Sequence, residues 1–214
     1  MNHFSDKTLR LVQTALLAAL VLLLAFTPSL GYIPIGVISV TIVHVPVIIG
    51  SILLGPGCGA LLGFLFGLSS MIMATTNAGV TSFIFSPFYS AGITTLGPLY
   101  SLIISFIPRI LVGVVPSLVY RGLKKLFASK KGMDAAALLI AGVCGSMTNT
   151  ILVMGLTYLL FGQAYAEAIG IAYEALVAAI LSIVFINGLI EAAIAAVLTG
   201  ILVKALRQVS RRMS

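Results

Sequence analysis

Tryptophan is absent from this chain, and its 214 residues include only five acidic side chains and two cysteines. Each scarcity removes a class of function. Cys58 and Cys144 both sit in apolar stretches and make neither a disulfide framework nor a metal-ligand pattern; they read as small buried packing residues. With so few carboxylates there is no acid-rich helix of the kind that relays protons in a pump, and no metal constellation. No HExxH and no Walker motif occurs, so the chain alone holds neither a zinc-protease centre nor ATP in the P-loop manner. No cofactor is expected. The largest shortage is of charge of either sign: 8% of residues are charged, against roughly 25% in a soluble domain.

What is present is apolar, at 60% of all residues. A soluble surface this poor in charge does not stay dispersed, so lipid must be the solvent for much of the chain. The apolar runs are long and unbroken, which favours helices over the short alternating segments of a transmembrane barrel. At about 20 residues per span, the length suits five to seven crossings in one domain.

The runs are separated by Pro28 and Gly31, by Gly55-Pro56-Gly57, by a polar stretch from Thr75 to Leu96, and by a basic loop from Arg121 to Lys131. These breaks predict a single all-α integral membrane domain over 1–214, a six-transmembrane-helix bundle with helices at about 10–27, 37–55, 57–75, 97–121, 135–161 and 175–206. The first run is too long for the core of a cleaved signal peptide. Thr75–Leu96 is too polar to cross, yet it carries Phe83, Phe85, Phe88 and Tyr89; a half-buried or re-entrant segment lying on the protein accounts for both.

The net charge of +7 does not point to nucleic acid. Apart from Arg109, every cation falls in one of three clusters flanking apolar runs: Lys7 and Arg10; Arg121, Lys124, Lys125, Lys130 and Lys131; Lys204, Arg207, Arg211 and Arg212. Such ends mark the cytoplasmic side. Six helices put both termini on that side, with Thr75–Leu96 and the loop carrying Glu167 and Glu174 outside.

Ionisable and amide groups inside a span are costly unless paired or solvated, so each is a functional candidate. Counted at 1.5 Å per residue from the basic ends, Arg109 lies roughly 18 Å up, Glu191 roughly 20 Å, Asn149 roughly 21 Å and His44 roughly 17 Å. Four helices thus place polar groups in one layer, which Asn77 in the outer segment could cover. Two readings of Arg109 stay open. It neutralises Glu191 across a helix pair, or it forks onto the carboxylate or phosphate of a solute, with Glu191 orienting it. Asn149 is either a ligand amide or an interhelical hydrogen bond. His44 before Pro46 reads more readily as a structural donor. Asn187 shares a face with Glu191, its role open. Ser86 and His44 could be nominated as nucleophile and base, but no spacing brings them together, so no enzyme is expected.

Thr14-Ala15-Leu16-Leu17-Ala18-Ala19-Leu20 after a basic N-terminus, then Val45-Pro46-Val47-Ile48-Ile49-Gly50 and Leu54-Gly55-Pro56-Gly57-Cys58-Gly59-Ala60, resemble the substrate-binding S components of energy-coupling factor (ECF) vitamin transporters. Ser82-Phe83-Ile84-Phe85-Ser86-Pro87-Phe88, Pro108-Arg109-Ile110 and Gly145-Ser146-Met147-Thr148-Asn149-Thr150 look most like the pantothenate-specific members. The resemblance implies a multi-pass cell-membrane protein that takes up a water-soluble vitamin, with ATP hydrolysed by partners: a transmembrane coupling subunit and two cytoplasmic ATPases. It implies that Ala15 and Ala19 face the coupling subunit. It also implies that Asn77, Arg109 and Asn149, with a backbone contact near Gly145, line the vitamin pocket, to which the depth argument adds Glu191 and His44. Absent tryptophan disfavours large flat vitamins such as riboflavin or folate, which remain alternatives, as does a stand-alone carrier using Arg109 and Glu191 as an ion-coupled pair.

Overall fold

The computed structural model describes residues 6–27, 31–35, 38–126 and 133–213; Lys130 and Lys131 of the middle basic cluster lie outside the described residues. The elements are α1 (Asp6–Phe26), a hairpin of β1 (Tyr32–Ile35) and β2 (Ile38–Thr41), α2 (His44–Leu54) and α3 (Pro56–Thr76). A folded segment with a 3-10 turn at Ser82–Ile84 and the one-turn α4 (Pro87–Ser90) leads into α5 (Gly97–Leu126). The chain closes with α6 (Met133–Ala168), α7 (Leu176–Ile183), a π-turn (Val184–Gly188) and α8 (Leu189–Met213). α7, the π-turn and α8 run on as one rod.

Among the described residues five helices are long and apolar enough to cross a membrane. The second expected span, 37–55, is corrected. Its first part pairs as a strand, with Tyr32 opposite Thr41 and Ile35 opposite Ile38, and only His44–Leu54 is helical. The physical reason is local. Val37, Ile38, Val40, Thr41, Ile42 and Val43 are β-branched and prefer extended backbone, a preference that hydropathy does not register. At 1.5 Å per residue, α2 covers about 16 Å, roughly half the hydrocarbon thickness. It is apolar all round and buried almost throughout, a core helix with α1, α3, α5, α6 and α8 packed about it.

Gly55 joins α2 to α3 with φ of 98°, a conformation that a side chain strains, and Pro56 opens α3. Along α3, glycines at a four-residue spacing admit the α5 backbone. A Cβ at Gly59 would strike the Gly113 carbonyl, one at Gly63 the Arg109 carbonyl, and one at Gly67 the Ser105 carbonyl at 2.6 Å. The backbone of Arg109 therefore lies directly on α3.

The polar segment 77–96 is folded down onto the bundle. Ser101 Oγ donates to the Phe83 carbonyl (2.7 Å), Ser105 Oγ to the Phe85 carbonyl (3.0 Å), and the Thr75 and Ser86 hydroxyls share a 2.8 Å bond. Phe83, Ile84, Ile104, Phe161, Tyr165 and Leu176 pack together beneath it. At the opposite end Arg10 Nη2 donates to the Leu54 carbonyl (2.6 Å), and Arg121 reaches the same Gly55 turn. Asp134 there accepts from Tyr120 (2.6 Å) and pairs with Lys124 (3.4 Å) and Arg207 (3.2 Å). Cations of all three clusters thus meet at one end of the bundle, with the start of α1 and the end of α8.

Candidate functional site

Between this basic end and the folded segment lies a cavity of about 440 Å³. Arg109 of α5, Ser70 and Met73 of α3, and Asn77 just past the end of α3 form one side of it. Asn149, Thr150, Val153 and Met154 of α6 form the back, and Ile183, Asn187 and Glu191 of the last rod form the far side. Thr41 from the hairpin and Phe85 from the folded segment complete it. The volume is in the range of small-molecule sites, about 300–1,000 Å³, and the mixture of apolar wall and a few polar groups is typical of them.

Arg109 is only 5% exposed. Contacts with described residues position its guanidinium. Its Nη1 donates to the Ile104 carbonyl at 2.6 Å, and its Cζ stands 4.5 Å from the Phe85 ring centroid and 5.5 Å from that of Phe66. Stacking on aromatic faces suits the weakly hydrated planar cation. The carbonyl it uses is no ordinary helix carbonyl. Ile104 is four residues before Pro108, which has no N–H to give it and whose ring crowds it. The proline leaves an acceptor inside the helix, and the next residue's side chain folds back to take it.

Glu191, 8% exposed, accepts from the Thr41 backbone N–H at 2.7 Å and from the Thr150 hydroxyl at 3.4 Å. The carboxylate thereby ties the hairpin to α6 and α8, and shares the cavity with Arg109 from the far side. Asn149 Oδ1 is buried without a hydrogen-bond partner among the described residues, an acceptor facing the cavity. Asn77 is exposed, its amide donating to Thr76 Oγ1 (3.2 Å) and to Met73 Sδ (3.6 Å).

Of the residues singled out from sequence, Asn77, Arg109, Asn149 and Glu191 meet on this cavity, while Gly145 and His44 are not on its wall. Gly145 is a packing position: a Cβ there would lie 2.8 Å from both Ile48 and Pro116, so its missing side chain is where α2, α5 and α6 touch. His44 is 1% exposed in the bundle core, with neither ring nitrogen hydrogen-bonded among the described residues. Ser86, buried, spends its hydroxyl on Thr75. Sequence reasoning missed Phe85 and Phe66 as the cation's aromatic supports, and Thr41 and Thr150 as the carboxylate's donors. The aromatic cluster at 83–89 was the available signal for the first; nothing local announced the second.

Ala15 and Ala19 are exposed on the outer face of α1, whereas Thr14 and Val21 are buried and Leu17 and Ala18 pack against the core. The small-residue face therefore points away from the bundle.

A family model described as "ECF transporter, substrate-specific component" matches residues 9–203. The chain belongs to this family of S components. This S component is a multi-pass protein of the cell membrane, and its family places it among transport proteins rather than enzymes. It is similar to the pantothenic acid transporter PanT of Lactococcus lactis subsp. cremoris, 37% identical over 202 residues, covering 94% of this chain and 93% of that one. It is also similar to the pantothenate transporter PanT of Leuconostoc mesenteroides subsp. mesenteroides, 31% identical over 206 residues, covering 94% and 91%.

Proposed function

We propose that this S component captures pantothenate from outside the cell and releases it inward together with ECF partners. The observation that carries the reading is the Arg109 guanidinium, buried, stacked and facing a cavity of small-molecule size beside amides. Pantothenate offers one carboxylate to the arginine fork, an amide and hydroxyls to Asn77 and Asn149, and a gem-dimethyl group to the apolar wall of Val153 and Met154. The names of the two relatives support the same ligand. Glu191 orients the hairpin, and Gly145 and His44 serve the packing of the helices around the cavity.

The basic end of the bundle faces the cytoplasm, and the segment 77–96 faces outward, where solute enters. Energy comes from a transmembrane coupling subunit and two cytoplasmic ATPases, with Ala15 and Ala19 docking on the coupling subunit. The purified chain titrated against a panel of water-soluble vitamins tests the ligand. Saturable binding confined to pantothenate is expected; tight binding of riboflavin or folate with none of pantothenate would replace it. Uptake in cells lacking every ECF ATPase would instead point to a self-sufficient carrier.

Pro108→Ala tests how the cation is held. The new N–H at position 108 competes for the Ile104 carbonyl, so the helix should become more stable as the guanidinium loses its anchor. Pantothenate affinity is expected to fall severalfold while the melting temperature holds or rises. Equal affinity in the variant would show that the freed carbonyl has no part in placing Arg109.

A further inference from the structure

The last rod is not a regular helix where it passes the cavity. Leu176–Ile183 is α-helical, Val184–Gly188 winds as a π-turn, and α-helix resumes at Leu189. A π-turn accommodates extra backbone at the expense of regular hydrogen bonding, and such turns occur frequently at functional sites. Asn187 lies inside this one and lines the cavity. Its neighbour Gly188 presses the turn against α6, where a Cβ would meet Thr150 Cγ2 at 3.1 Å. The large apolar residues around it, Phe185, Ile186, Leu189 and Ile190, are exposed on the outside of the rod. Asn187 is the polar exception, and it faces inward.

The cavity is consequently polarised. Its α3–α5 side carries the cation Arg109, its far side carries the carboxylate of Glu191 and the amide of Asn187, and α6 separates the two. Glu191 already accepts from Thr41 and Thr150, which fixes it in place. A solute that fits has an anion at one end and hydrogen-bond donors at the other. We propose that Asn187, presented by the π-turn, reads the hydroxyl-bearing end of the ligand whose carboxylate Arg109 holds. In pantothenate this is the diol end, so the assignment rests on the pantothenate reading and adds the ligand's direction: carboxylate toward α5, hydroxyls toward the last rod.

The test is a cycle of protein and ligand changes on the purified S component. Wild type and Asn187→Ala are titrated with pantothenate, with an analogue carrying hydrogen in place of both hydroxyls, and with pantothenol, in which a primary alcohol replaces the carboxylate. Asn187→Ala should weaken pantothenate roughly tenfold, the loss of one neutral hydrogen bond. It should cost nothing further with the dideoxy analogue, and should leave the penalty for pantothenol unchanged. Equal losses with pantothenate and with the dideoxy analogue would make Asn187 a packing residue and overturn the assignment. A loss that disappears only with pantothenol would place Asn187 at the carboxylate end and reverse the direction. Wild type that ignores pantothenate would overturn the ligand reading first, and this assignment with it.

Discussion

Arg109→Ala is expected to weaken pantothenate binding by about thirtyfold or more while the bundle stays folded. The carboxylate meets the cation inside a cavity whose walls are largely protein, so water does little to screen the pair. Truncating one member of a buried, hydrogen-bonded ion pair costs about 2–5 kcal/mol, and each 1.4 kcal/mol is about tenfold in Kd. The fold should tolerate the change. Alanine removes a charge that is costly to bury, and the α3–α5 contact at this level is made by backbone against Gly63, which the substitution leaves alone. Arg109→Lys keeps the charge but loses both the planar fork and its stacking on Phe85, and should recover only part of the affinity. Isothermal titration with a parallel melting curve checks both variants. Unchanged pantothenate affinity in a folded Arg109→Ala protein would sink the site.

The second large effect separates binding from transport. Ala15→Trp and Ala19→Trp should reduce pantothenate uptake to background in cells that supply the ECF partners, with Kd for the purified chain unchanged within a factor of about two to three. Both alanines are exposed on the outer face of α1 while Thr14 and Val21 face the core, so a larger side chain there meets nothing within this chain. Small residues let one helix approach another closely in a membrane, and an indole on that face holds the partner off. Uptake assays and titration of the same variants decide the matter. Normal uptake would move the coupling surface elsewhere, and joint loss of uptake and binding would mean that the face serves this chain's own packing.

Much of the architecture was legible because lipid imposes a simple grammar. Long apolar runs with Lys and Arg at one end gave α1, α5, α6 and the last rod, an apolar run between the Gly55-Pro56 break and the polar stretch from Thr75 gave α3, and that same break gave the tight turn between α2 and α3. Counting 1.5 Å per residue from the basic ends was enough to bring Arg109, Asn149 and Glu191 to a common level, since straight helices convert sequence separation into depth. The same count puts His44 at that level, where the structural reading is the readier one. Depth says nothing about rotation round the helix axis, and α2 turns that side chain into the core.

Other features were hidden because they depend on backbone detail that hydropathy does not encode. Residues 38–41 read as part of the start of a span, yet they pair in a hairpin whose Thr41 N–H reaches Glu191, 150 positions away. The π-turn leaves no mark in composition: Val184-Phe185-Ile186-Asn187-Gly188 reads as a continuation of the apolar run, with Asn187 its one polar side chain. Pro108 falls inside α5, but its consequence, a carbonyl at Ile104 for its neighbour's guanidinium, depends on how that side chain folds back. At Gly145 the hidden detail is one of packing. A glycine beside a candidate amide invites a ligand contact, whereas the space it leaves is filled by Ile48 and Pro116.

A competition between pantothenate and pantothenol on the wild-type chain goes straight to the central claim, that an anion is recognised by a cation held among helices. The two ligands share the amide and the diol end and differ at the other end, a carboxylate against a neutral primary alcohol. A preference for pantothenate of more than about a hundredfold is expected from the loss of a charge-assisted fork. Equal affinity for the neutral alcohol would contradict the account, because Arg109 would then contribute nothing to what the cavity selects.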